Sequence, residues 1–183
     1  MSDAVSALNG QTHDGFARVA EAGLRGMVTI RADLGSAALA GALAALGLSV
    51  PAQRGIVSAG GKAVGWMSPD ELLLLCDYAQ APQIAADLTS ALADEHALVT
   101  VVSDARALFT VQGAKADQVL MKLCPVDFAT LPEGELRRTR AAQVAAALWR
   151  SGPDEISVVC FRSVAGYMMG LLEVASRKGG EIF

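Results

Sequence analysis

Histidine is nearly absent. His13 and His96 are the only two in 183 residues. Neither stands in an HExxH pattern, no cysteine is spaced to pair with them, and no G-x-S-x-G elbow is present, which leaves no recognisable zinc-hydrolase or nucleophile–histidine constellation. Cysteine is scarce too: Cys76, Cys124 and Cys160 are odd in number, widely spaced, and form no CxxC pair. That excludes a zinc ribbon or a disulfide framework and suggests buried thiols in a reducing compartment. A basic surplus is missing: the net charge is −4 and the pI about 5.1. Nucleic acid is therefore not expected as a partner, since phosphate binding needs a basic face. No apolar run approaches the roughly 20 residues of a membrane span, and the first 26 residues show neither an apolar h-region nor an early positive cluster. A cytoplasmic protein with no membrane partner is expected. Aromatic residues make up only 5% against 52% apolar, much of it alanine, so close-packed helices with few large cavities are expected.

What the chain does have is a turn that occurs twice. Trp66-Met67-Ser68-Pro69-Asp70-Glu71 precedes an apolar run, and so does Trp149-Arg150-Ser151-Gly152-Pro153-Asp154-Glu155. The two match once one glycine is inserted. Pro presets φ and Asp bonds back to the local backbone, so each reads as a tight hairpin reversal. The prolines are 84 residues apart, which points to an internal duplication.

The flanking patterns repeat in the same order. Residues 27–34 alternate as a half-buried strand, and Ser36 can cap a helix over 37–46 that stops at Gly47. A loop over 50–61 leads to strands at 62–67 and 71–77. A helix with Ile84, Leu88 and Leu92 on one face follows, then the apolar run 98–102, which fits a central strand buried on both faces. The second half reads as a strand at 106–112, a helix stopped by Cys124-Pro125, a loop over 126–135, a long strand at 138–150, a strand at 155–162, a helix capped by Ser163, and a short edge strand at the end. The fold class is α+β: two ferredoxin-like βαββαβ halves, with mainly antiparallel sheets and helices on one face. The expected divisions are an N-terminal arm (1–26), a first half (27–104) and a second half (105–183), fused into one compact unit.

Few residues suggest chemistry. Cys124 ends a helix, where the dipole disfavours a thiolate. Gly113 with Lys115 nearby is a weak anion-site pattern that lacks both phosphate-loop signatures, and a glycine needed for the turn explains it better. Asp70 and Asp154 read as turn formers. Arg137, Arg138 and Arg140 crowd one strand start in an otherwise acidic chain; they suit either a partner's carboxylates or the guarding of a sheet edge. Trp66, beside the first turn, is a core anchor or an interface residue. The inventory favours a binding or assembly module over an enzyme.

Three stretches carry a family resemblance. They are Val64-Gly65-Trp66 through Pro69-Asp70-Glu71-Leu72-Leu73-Leu74; Ser103-Asp104-Ala105-Arg106 through Val111-Gln112-Gly113 to Cys124-Pro125-Val126-Asp127; and Arg138-Thr139 through Gln143-Val144, Trp149-Arg150 and Phe161-Arg162-Ser163. Together, over about residues 60–175, they resemble the gamma subunits of heterotetrameric sarcosine oxidases. The middle stretch is also similar to the amino-terminal domain of folate-dependent aminomethyltransferases. The resemblance implies a non-catalytic assembly subunit with alpha, beta and delta partners. It implies that FAD, FMN, NAD and tetrahydrofolate belong to the larger subunits and zinc to the smallest. The complex would demethylate sarcosine to glycine, producing hydrogen peroxide and passing the one-carbon unit to tetrahydrofolate. A related N-methyl amine could replace sarcosine. The alternative is a stand-alone folate-binding protein of the aminomethyltransferase-like group. The K-G-C-Y-x-G-Q-E signature of the branch that maintains iron–sulfur clusters is absent. The residues put forward as partner contacts are Trp66, Arg137, Arg138 and Arg140, with the N-terminal arm.

Overall fold

The structure, a computed structural model, describes residues 3–183. In chain order the elements are β1 (Thr12–Asp14), β2 (Arg18–Glu21), β3 (Gly26–Arg31), α1 (Ala37–Ala45), β4 (Ile56–Ala59), β5 (Lys62–Ser68), β6 (Glu71–Cys76), α2 (Ala81–Ala91) and β7 (Leu98–Val101). They continue as β8 (Arg106–Gln112), α3 (Ala116–Met121), β9 (Leu136–Ala141), β10 (Val144–Gly152), β11 (Glu155–Phe161) and α4 (Ala165–Ala175). This is an α+β chain with few helices and two antiparallel sheets. It divides into two compact units: Leu24–Ser103, and Asp104–Phe183 together with the residues up to Gly23.

In the first of these units the strand order is β4-β5-β6-β3-β7. Val28, Ile30, Val64, Leu72 and Leu74 point to one face, where they pack with Leu39 and Leu43 of α1 and Ile84 and Leu88 of α2. Each such side chain contributes roughly 2 kcal/mol by leaving water, so this stripe outweighs the weak intrinsic helix stability of so short an α1. Leu73 and Leu75, of opposite alternation, are buried as well, which is why β6 reads as an unbroken apolar run. Ser36 caps α1 as expected, its hydroxyl accepting from Leu39 N at 3.1 Å. The helix closes in a Schellman turn: Gly47, at φ +77°, donates to Ala44 O and Leu48 N to Leu43 O, both at 2.9 Å.

In the other unit the order is β1-β2-β8-β11-β10-β9. Phe109, Val111, Leu148, Ile156 and Val158 meet Val119 and Leu120 of α3 and Met168, Met169 and Leu172 of α4.

Five expectations are corrected. The described residues before Gly26 are no arm: β2 pairs antiparallel with β8, Val19 opposite Val111, and Val19 is fully buried. Glu21 fastens it further, accepting from Ser6 Oγ at 2.8 Å and Gly10 N at 2.7 Å. Next, the long strand 138–150 is a hairpin. The chain reverses at Ala142, which takes φ +50°, and β9 runs back along β10. The loop 50–61 likewise contains an edge strand, β4. Fourth, β7 lies at a sheet edge, because β3 occupies the position next to β6 and leaves β7 only one neighbour among the described residues. Last, the C-terminal residues form no strand. Gln118 holds them instead, donating to Phe183 O at 2.9 Å and accepting from Ile182 N at 2.7 Å.

The two Pro–Asp turns share one geometry. In each, a two-residue reversal follows a register shift of one residue, between Trp66 and Ser68 in one hairpin and between Arg150 and Gly152 in the other. That register sets Arg150, opposite Ile156, in the place that Trp66 holds opposite Leu72. Trp149 is one residue further back and points to the opposite face, so the two tryptophans are not counterparts.

Candidate functional site

The basic strand start forms the open edge of its sheet, since β9 pairs only with β10 among the described residues. Strand alternation separates the arginines. Arg137 shares the face of Leu148, turns inward and pairs with Glu135. Arg138 and Arg140 point to the other face, opposite Ala147 and Ala145, and both are exposed. Arg140 forms no ion pair among the described residues, so a fixed positive charge stands on this edge. Trp66 belongs to the other unit. Its side chain lies half-buried against the helix-covered core, so it packs within its own unit rather than standing free, and its backbone N–H donates to Gly55 O at 2.9 Å.

Arg150 is the functional-looking residue that pattern reading missed. Its Nε donates to Leu131 O at 2.7 Å, and its terminal nitrogen to Phe128 O at 2.9 Å and to Asp117 Oδ2 at 2.7 Å. It thereby ties the loop before β9 to α3. The available signal was a charge at an inward position directly after Leu148-Trp149.

The weaker candidates resolve as structural. Gly113 takes φ +129° at the strand-to-helix junction, and its N–H donates to Asp154 O at 2.9 Å. The Lys115 amine donates to Phe183 O at 3.1 Å. Asp70 accepts from Ser68 Oγ at 2.5 Å and from Arg31 at 3.1 Å. The Ser68 hydroxyl first, then the Arg31 guanidinium, holds this carboxyl below the usual range. His13 lies in β1 and His96 follows α2, with no metal-capable group of three or more His, Cys, Asp or Glu among the described residues. No described helix is long and apolar enough to cross a membrane. A groove of about 630 Å³ runs beside α4, lined mainly by Leu123, Tyr167, Gly170, Leu171 and Val174.

All three cysteines are buried and unpaired. Burial pushes the Cys124 thiol up to about 12 and the Cys160 thiol to about 11, and raises that of Cys76. A thiol-specific reagent at neutral pH is therefore expected to label none of them until the chain is denatured, when all three react. Fast labelling of Cys124 in the native protein would contradict this. The linkage has a sign. The unfolded chain loses these protons near pH 9 and the folded chain only near 11–12. Between those values the unfolded state binds fewer protons, and stability falls with rising pH by up to about 1.4 kcal/mol per unit for each thiol.

Residues 31–178 match the model of the sarcosine oxidase, gamma subunit family. A sarcosine oxidase subunit gamma from Corynebacterium sp. (strain P-1) is 34% identical over 142 residues, covering 75% of this chain and 69% of that one. Matches to two further gamma subunits span 63% and 61% of their length, so the chain corresponds to about two thirds of such relatives. Among solved structures, the heterotetrameric sarcosine oxidase from Corynebacterium sp. U-96 in complex with pyrrole 2-carboxylate superimposes with a TM-score of 0.80 at 27% identity, over 90% of this chain and 87% of that one. The glycine cleavage system aminomethyltransferase T from Bartonella henselae gives 0.64 at 16% identity, over 84% of this chain and 44% of that one, a likeness of fold alone.

Proposed function

Because the chain belongs to the sarcosine oxidase gamma subunit family, we propose that it is a non-catalytic assembly subunit of a heterotetrameric sarcosine oxidase. The observation that carries this is the family match over residues 31–178. On this reading the partners are the alpha, beta and delta subunits. FAD, FMN, NAD and the tetrahydrofolate site belong to the larger ones, zinc to the smallest, and oxidative demethylation of sarcosine is their work. The complex works in the cytoplasm.

The subunit's contribution is surface. Arg138 and Arg140 on the open β9 edge are the docking charges, attracted to an acidic patch of a partner. Arg137, paired with Glu135, and Trp66, packed into its own core, contribute to the shape of their units. The double variant Arg138→Glu, Arg140→Glu is expected to weaken assembly about tenfold or more, read as the chain co-purifying with co-expressed partners. Unchanged co-purification would remove these two residues from the interface.

The scaffold is a duplicated one, its halves (27–104 and 105–183) descending from a single ferredoxin-like unit. Two features support that reading. The order β4-β5-β6-β3-β7 is matched by β9-β10-β11-β8-β2, with β2, supplied from outside residues 105–183, standing where β7 would. The Pro–Asp hairpins also share their one-residue bulge. A role as a free folate binder would show as micromolar affinity of the isolated chain for tetrahydrofolate in calorimetry; this reading expects no such binding.

A further inference from the structure

A sheet edge is a row of unused hydrogen-bonding groups, and proteins usually guard it with charge, proline, a bulge or brevity. Among the described residues the four edges differ. β1 has three residues, and β9 carries Arg138 and Arg140. β4 and β7 both have four, but β4 leaves no large apolar side chain exposed. β7 reads Leu98-Val99-Thr100-Val101, with no charge, proline or glycine, and pairs only with β3 among the described residues. Leu98 and Val101 are 56% and 41% exposed.

The ladder tells which groups are open. Val102 N donates to Met27 O at 2.8 Å, and Ala32 N donates to Asp70 O across the other side of β3. By alternation Leu98 and Thr100 bond to β3, while the N–H and C=O groups of Val99 and Val101 point outward. The start of the strand is acidic. Glu95 accepts from the Ser36 hydroxyl, Ser36 N donates to Asp33 O, and Asp94 is exposed beside them. The adjacent Arg31 does not neutralise this end, because its guanidinium is engaged by Asp70 and Glu71.

We propose that β7 accepts an added strand from a partner polypeptide: an extended, uncharged, β-branched segment with a basic residue beside Asp94. Backbone bonds at Val99 and Val101 supply the affinity, and the acidic end sets direction and register. A second copy of this chain fits poorly, because its β7 carries no basic residue to meet Asp94. The inference deepens the assembly reading and rests on it.

Hydrogen exchange on the free chain and on the co-expressed complex tests it. The amides of Val99 and Val101 should exchange quickly in the free chain and at least about tenfold more slowly in the complex. Val101→Pro deletes an outward N–H and a largely exposed side chain but no bond to β3, so it should keep the parent's thermal midpoint while lowering co-purification about tenfold. Thr100→Lys should act likewise by placing a charge on the edge. If the chain co-purifies but these amides stay unprotected, the strand-addition proposal falls and the assembly reading survives. If the chain does not co-purify at all, both fall. Protection already present in the free chain, with a dimeric mass, would make the occupant a second copy and overturn the proposal.

Discussion

Deleting the residues before Gly23 is expected to cost about 4–6 kcal/mol and to leave much of the protein unfolded or insoluble. The deletion removes β2, and with it the fully buried Val19 and a four-residue ladder along β8. Losing Val19 costs about 2 kcal/mol of apolar burial, and each ladder hydrogen bond about 1 kcal/mol. It also strips cover from Phe109 and Val111, neither of which is otherwise exposed. Against a total stability of roughly 5–15 kcal/mol, that is a large fraction. A terminal arm would behave differently, since its removal leaves the thermal midpoint unchanged. Circular dichroism melts of the full and shortened chains separate the two. A single substitution probes the same docking of the N-terminal segment: a Cβ added at Gly15 would meet Ser176 O at 1.8 Å, so Gly15→Ala should destabilise by about 2–3 kcal/mol.

Replacing Arg150 by Met should cost about 2–4 kcal/mol. The guanidinium is largely buried and satisfies two backbone carbonyls as well as Asp117, and no thioether can replace those bonds. Arg150→Lys should recover little, because a single ammonium cannot reach three acceptors in the geometry of the fork. Chemical denaturation at neutral pH measures both. A loss under about 1 kcal/mol for the Met variant would mean that the 128–131 loop is held by its apolar contacts instead. Phe128 and Leu131 are indeed buried, and they set the floor of the effect.

The strands that build the sheet centres were legible because their side chains carry the signal. β6 is apolar on both faces, β3 and β8 alternate, and Ser36 with Gly47 brackets α1. The strands at and next to the edges were not. β1, β2 and β4 are short, and pairing rather than local pattern fixes them, β2 between β1 and β8, so they resemble a loop. β9 reads as one strand with β10. The turn between β9 and β10 gives no warning, because a left-handed Ala142 stands where glycine or asparagine is usual. β7 shows the converse failure. Four apolar or β-branched residues look central, yet sheet order is decided by which strands reach β3, and local pattern does not contain that. The candidate surface was half legible. The arginine cluster is visible in the sequence, but which of its members face out depends on where β9 begins, and Arg137 falls on the inward side. Arg150 was hidden by its neighbour: aligning the two turns on tryptophan obscured that the register aligns Arg150 with Trp66.

The most direct test is the native mass of the complex formed when the alpha, beta and delta subunits are expressed with and without this chain. One stoichiometric heterotetramer with it, and incomplete or dissociating particles without it, is the expected result. A full-sized, stable and active particle that never contains the chain would contradict the account.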